Sequence, residues 1–510
     1  MKPLTLDELT TLARDAEEPS FPDGNLPKPG GVDPLGLRQL NFNMMDRSLP
    51  GLNNVARRVR PFVVVAWASR QANRIALNLG EKELPVDAIR DFVDRIEVIY
   101  AWSQFLRDRN AELPGRQVLA SLIGKDSYVF GGAAWKKRRE ERRYSTAFTA
   151  AITYGPALKA LGWVIPDNQH SILFHTPPSV DDALDAFESG IVEHLDHPAF
   201  SRFGEVEVDA DDVAIWGELW ALDDVSPEEK ATFARLLVGD GAPPARKDGI
   251  ALMLSAAVHA ESDDPGLLRA VMAGKPSNFV APAGLGGAAG RWRQLQIRQL
   301  FRLALEALMY WTAWSLEDGP LTTAGLVQTF RDECSAGWPV ATAPGQWASS
   351  VPLPGSPVAL MDRIQVAAAH ELGEDLAQSI ADAIAFCLAE PSSGDGDDER
   401  VDRLPLSRAR KESEAWIEAG SADFLRHIIE VWVLAQHVYW SVGRGMNDAR
   451  SGGKTLLRLR IVMDEGGWRL APGAGAGNEP LPTADRLGSA LSLAKECGLL
   501  DLRRTSPASE

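Results

Sequence analysis

Chemistry in this chain starts with eight histidines, and only two of their neighbourhoods approach a known arrangement. His370-Glu371-Leu372-Gly373-Glu374 follows the HExxH helix of zinc hydrolases until its fifth position, where Glu374 replaces the second imidazole. His194 and His197 are close enough in sequence to face one ion from a frayed helix end, but no third ligand stands nearby, and a surface helix terminus explains them better. No histidine is followed at once by Asp and none opens an HxK pair, so the metal phosphohydrolase and phospholipase-D nuclease patterns are both missing. The expectation is no metal and no cofactor.

Two glycine motifs imitate phosphate loops. Gly453-Lys454-Thr455 ends like a Walker A sequence, but Asp448 occupies the position of its first glycine, and the surrounding order is helix, loop, strand. Gly284-Leu285-Gly286-Gly287-Ala288-Ala289 opens a long helix without a βαβ unit around it, which reads as a tight loop or close helix packing.

Cationic clusters stand out more. Lys136, Lys137, Arg138, Arg139, Arg142 and Arg143 place six positive charges in eight residues, beside Trp135 and Tyr144. Phosphate neutralisation with an aromatic for base stacking is one reading, and a solvated helix face laced by Glu140 and Glu141 is the other. Arg57, Arg58 and Arg60 precede the apolar run at 61–68 and offer a second candidate, or contact acidic groups of the same fold. Arg291, Arg298 and Arg302 fall within about 40° of one another on a helix. Arg302 stands four residues before Glu306 and is expected to pair with it, leaving Arg291 and Arg298 free. Between 422 and 443, the residues Arg426, His427, Glu430 and His437 mark a polar stripe that either lines a groove or faces solvent. Ten residues of helix separate its two histidines by about 15 Å, too far to share an ion. Glu205, Glu207, Asp209, Asp211 and Asp212 are the best place for a carboxylate enzyme site, the first four alternating as on one strand face, although a solvated edge explains them better.

The elements that position these groups are mostly helices. Ser226-Pro227-Glu228-Glu229 combines a Ser cap, a Pro in the first turn and a Glu at the third position, which predicts a helix over 227–238. Thr5 with Glu8 and Ser179 with Asp182 repeat that grammar. Apolar residues spaced by three and four predict helices near 85–108, 247–259, 264–273, 356–390, 407–443 and 484–497, the last closed by Gly498. From Leu300 to Trp314 apolar residues surround the axis, so this helix is expected at the centre of the fold. Strand signals are confined to 204–216 and to a hairpin joining 455–462 with 468–472 through Gly466-Gly467. The expected class is mainly α, a large helical bundle-like body with a small C-terminal β-hairpin-plus-helix element. Its expected divisions are an extended arm over 1–35, helical regions over 36–170 and 171–390, an acidic linker over 391–403, and a C-terminal region over 404–510.

With 53 Lys and Arg against 70 Asp and Glu, the formal charge of -17 disfavours nonspecific attraction to nucleic acid, so any anion site must be local. Cys334, Cys387 and Cys497 stand far apart and form neither a disulfide framework nor a zinc ribbon. No apolar stretch approaches the roughly 20 residues of a spanning helix, and the first residues lack a signal-peptide pattern. A cytoplasmic protein without membrane contact is the expectation.

The segments 35–40 and 51–72, together with 291–311, resemble a diffuse family of large helical bacterial proteins of unknown function, often encoded in antiphage defence loci beside helicases or nucleases. The likeness lies in patterns of apolar and Arg residues and carries no catalytic residues with it. Together with the absence of catalytic motifs and the many scattered tryptophans, it implies a non-catalytic subunit of a multiprotein complex with other protein subunits as partners. A nucleic-acid-binding sensor using the basic cluster and an enzyme with an unrecognised carboxylate site are the alternatives.

Overall fold

The computed structural model describes residues 33–79, 86–141, 150–168, 173–274, 278–334, 356–371, 373–390, 401–450 and 457–502. Helices dominate them. The principal ones are α1 (Arg38–Ser48), α2 (Arg60–Leu79), α3 (Val86–Arg107), α4 (Ala133–Glu141), α5 (Asp181–Gly190), α6 (Ala210–Leu219), α7 (Pro227–Val238) and α8 (Pro244–Ala260). They continue with α9 (Gly286–Ser315), α10 (Thr323–Glu333), α11 (Pro357–Ala369), α12 (Gly373–Ala389), α13 (Leu406–Glu414), α14 (Ser421–His427), α15 (Gln436–Arg450) and α16 (Leu487–Glu496). Among the described residues the strands form three antiparallel pairs: β1 (Ser127–Phe130) with β4 (Val206–Asp209), β2 (Ile165–Pro166) with β3 (Phe174–His175), and β5 (Ile461–Asp464) with β6 (Gly467–Leu470). The class is therefore mainly α with a small C-terminal hairpin followed by a helix. No helix among the described residues is long and apolar enough to cross a membrane.

The chain divides into two compact units, each assembled from separated segments: 1–44, 269–280 and 289–483 in one, and 45–268, 281–288 and 484–510 in the other. Long-range contacts hold the separated segments of each unit together. In the second unit, for example, Asn54 bonds the carbonyl of Ala484 and Arg58 pairs with Glu496. The linker expected at 391–403 lies mainly outside the described residues, as do the helix expected at Thr5, most of the arm, and the mimic at Gly453-Lys454-Thr455.

The second unit is built on α2, whose residues Phe62 to Ala68 are all buried. Phe187, Phe200, Trp216 and Trp220 gather with Trp67 in edge-to-face, tilted and stacked contacts of 4.5 to 6.3 Å between ring centroids. Such pairs add to simple area burial. The capping box of α7 forms as expected: the Ser226 hydroxyl accepts from the Glu229 N–H, and the Glu229 carboxylate accepts from the Ser226 N–H. Glu229 is also fully buried against Arg60, at 3.1 Å, so one side chain caps α7 and ties it to the start of α2.

The first unit surrounds α9. Leu300 to Leu308 are buried on every side, and the expected Arg302–Glu306 pair forms at 2.5 Å, with Arg38 adding a second cation to Glu306 at 3.2 Å. A charge buried with hydrogen-bonding partners avoids most of the penalty of burying it alone.

Several elements depart from their expected form. The 356–390 segment is two helices, α11 and α12, and the 407–443 segment is broken by a turn after α13 and by a π-helical run over Ile428–Ala435. Ser179 does not cap α5; it sits in the 3-10 turn Pro178–Val180 before it. The 204–216 strand stops at Asp209, and Asp211 lies on α6 instead of sharing a strand face with Glu205 and Glu207. The hairpin is shorter than expected, starting at Ile461.

Candidate functional site

Several of the cationic residues are held by contacts inside the fold. Arg139 on α4 bonds both Asp94 and Asp91 of α3, and Trp135, one turn earlier, donates its indole N–H to Asp91 at 2.7 Å. Burial holds the Asp94 carboxyl above the usual range despite Arg139. Trp135 is wholly buried against Tyr128 and Phe130, so its ring is not offered for stacking. Arg138 bonds the Ser121 hydroxyl, Lys136 and Lys137 are exposed, and Arg142 and Arg143 lie outside the described residues. Arg57 is exposed, whereas Arg58 pairs with Glu496 and Arg60 with Glu229, which is the intrachain role the sequence allowed for them. Arg298, expected to be free, is buried and donates to the carbonyl of Arg403.

The polar stripe breaks into two parts. Arg426 and Glu430 stay exposed and face each other at 3.5 Å. His427 turns to Glu412 of α13, at 3.3 Å, with its ring beside Trp416. Glu412 also accepts from Arg408 at 2.6 Å and from the Trp432 indole at 2.7 Å. Burial pushes its carboxyl up, but these donors outweigh burial and hold it below the usual range. His437 does not share the solvent face; it is 1% exposed. The reason is the π-helical run between the two parts, where i→i+5 bonding turns the chain less per residue and the count at 100° loses its phase.

His437 belongs to a clasp that no local pattern announces. Four consecutive carbonyls, those of Asp33, Pro34, Leu35 and Gly36, accept in turn from Trp440 at 2.9 Å, His437 Nδ1 at 2.9 Å, Gln436 at 3.0 Å and Arg403 at 2.7 Å. The other ring nitrogen, Nε2, accepts the N–H of Arg460 at 2.9 Å. A carbonyl can only accept and an N–H only donate, so this geometry requires the neutral Nδ1–H tautomer. Burial lowers the imidazole pKa to about 4, and the charge of Arg460 adds to that against the pull of the Pro34 carbonyl.

Other titratable groups are likewise held by the fold. His197 caps the short helix Pro198–Ser201, its Nδ1 accepting from the Ala199 N–H at 3.1 Å. Burial pushes the thiols of Cys334 and Cys497 up to about 12 and raises that of Cys387 as well. Neutral thiols are poor nucleophiles. Among the described residues no three His, Cys, Asp or Glu side chains gather as a metal site requires. Glu207, from the carboxylate series, sits on the exposed face of β4 and bonds Ser127.

The feature that sequence reading missed is an open groove of about 870 Å³ between α5 and α7. Asp182, Asp185, Ala186 and Ser189 share one face of α5, and Glu228, Ala231, Thr232 and Arg235 share one face of α7, each set spaced by three and four residues. The helices run antiparallel, as the bond from Arg235 near the end of α7 to the Ser179 carbonyl before α5 shows. Small side chains line the groove between carboxylates. Asp185 pairs with Arg70 of α2 at 2.7 Å, while Asp182 and Glu228 have no ion pair among the described residues.

No family model matches the sequence, and no curated protein or solved structure is similar to it.

Proposed function

We propose that this chain is a non-catalytic, protein-binding subunit of a multiprotein assembly. The observation that supports the reading best is a contrast between two sets of polar groups. Those with catalytic potential, His437, His427, Arg139 and the thiols, are tied into the fold by hydrogen bonds, ion pairs or burial. Asp182 and Glu228 of the α5–α7 groove, by contrast, are exposed on a helical frame and have no ion pair among the described residues. Preformed concave surfaces on packed helices are where partners dock at least ordering cost. The resemblance to proteins of antiphage defence loci extends this reading to a bacterial complex with a helicase or nuclease partner. Affinity purification of the chain co-expressed with the products of its neighbouring genes tests it: a stable co-purifying partner is expected, and recovery of the chain alone from every combination overturns it.

A further inference from the structure

We propose that the α5–α7 groove binds a lysine- and arginine-rich amphipathic segment of a partner protein, with the apolar side chains of that segment seated on an adjoining lip formed by Val192, Ile215 and Leu219. The proposal rests on the protein-binding reading above and names the partner chemistry that the surface fits.

The groove and the lip adjoin. Ser189 lines one end of the groove, and at the next residue a Cβ placed on Gly190 would lie 3.8 Å from the Leu219 carbonyl at the end of α6. The turn after Gly190 stays on that helix, with the His194 ring 6.5 Å from that of Trp216. Val192, Ile215 and Leu219 are 58%, 51% and 39% exposed, and the last two stand one turn apart on α6. Their setting is acidic on balance: Glu193 and Asp211 are exposed, Glu218 is exposed but paired with Arg107 at 3.3 Å, and Asp182, Asp185 and Glu228 line the groove. Arg235 is the single cation among the lining residues, and its guanidinium is committed to the Ser179 carbonyl.

These features select the occupant by charge and shape. A groove with two carboxylates lacking ion pairs attracts cations and repels nucleic acid or an anionic lipid surface. From Asp182 to Ser189 it spans about 10 Å along α5, room for two turns of a helix. Ala186, Ala231 and Thr232 let a backbone approach closely, while the lip takes larger apolar side chains, the arrangement of a helix laid in a groove.

The test uses the full chain and a fluorescein-labelled 14-residue Lys/Leu amphipathic peptide, followed by fluorescence anisotropy, with a Glu/Leu peptide as counterpart. Saturable binding of the Lys/Leu peptide alone is expected. Asp182→Lys/Glu228→Lys should weaken it about tenfold and Leu219→Ser about threefold. The milder Asp182→Asn/Glu228→Gln, which preserves side-chain shape, should weaken it about threefold, so a misfolded reversal does not decide the matter. Asp240→Lys/Glu112→Lys, which reverses two exposed acids elsewhere on the unit, should stay within about twofold of wild type. Equal losses from both reversals would mean attraction to net charge only, and binding of the Glu/Leu peptide or no saturable binding would equally overturn the proposal. Self-association of the wild type that the groove reversal abolishes would make a second copy the occupant and overturn it too. A co-purifying partner that survives the groove reversal removes this inference and leaves the protein-binding reading standing, whereas no partner with the wild type removes both.

Discussion

Replacement of His437 by Asn should change both stability and its pH dependence. At pH 7.5 the wild-type ring is neutral and makes two bonds to backbone groups in a site that is 1% exposed. The Asn amide nitrogen can replace Nδ1 as donor to Pro34, but the side chain is too short to supply the acceptor of the Arg460 N–H, so a cost of about 2 kcal/mol is expected, most of it from the unpaired amide. On acidification the sign follows from the shift. The folded imidazole has a pKa lowered to about 4, whereas the unfolded one titrates near 6.5, so the unfolded state takes up the proton first and stability falls as pH drops from about 6.5 towards 4. At pH 5 the wild type should have lost about 2 kcal/mol from this group alone, and the Asn variant, which cannot titrate there, should have lost none of it. The difference between the two proteins should therefore shrink from about 2 kcal/mol at pH 7.5 to near zero at pH 5. Urea unfolding at both pH values measures it, and amide exchange of Arg460 provides a local reading, since its protection should drop with pH in the wild type and be weak throughout in the variant. A gap that stays constant across this range would refute the neutral, doubly bonded ring.

Other consequences follow from the same contacts. Arg139→Ala leaves Asp94 and Asp91 without their cation and should lower stability by about 3 kcal/mol in urea unfolding, with no change in the salt dependence of duplex DNA binding; a flattened slope would show that Arg139 reaches phosphate. Gly36→Ala combines a φ of +72° with a Cβ 2.5 Å from the Trp440 ring, so it should open the clasp, cost at least about 2 kcal/mol and speed proteolysis near the N-terminus; an unchanged cleavage rate would contradict the clasp. Cys334 and Cys387 should react with a thiol reagent at pH 8 only as fast as the protein unfolds, and a rapid phase at either would contradict their burial.

What was legible in the sequence was local. Ser226 and Glu229 announce the start of α7 because a capping box is complete within four residues, and Gly498, at φ +73°, closes α16 as expected of a residue free to turn left-handed. The burial of α9 follows from apolar residues at every angle, and the Arg302–Glu306 pair from their separation by one turn. Three kinds of information were not local. The π-helical run over Ile428–Ala435 has no sequence mark, so His437 was placed on the wrong face. The interleaved units and the clasp depend on pairs hundreds of residues apart, such as Trp440 with Asp33, that no periodicity reveals. The tryptophans are equally unreadable one by one: Trp67, Trp135, Trp311 and Trp432 are buried and bonded by their indoles to Glu188, Asp91, Glu333 and Glu412. The groove was partly legible, since its two faces keep helical spacing, but the repeating residues are small and acidic, and a search for apolar periodicity passes over them.

The central claim, that this chain works by holding another protein on the α5–α7 face, is tested most directly by size-exclusion chromatography with light scattering on the chain and its co-purified partner, for the wild type and for Asp182→Lys/Glu228→Lys. A complex of defined mass with the wild type that dissociates in the variant is the predicted result, and a complex of unchanged mass and stability in the variant would contradict it.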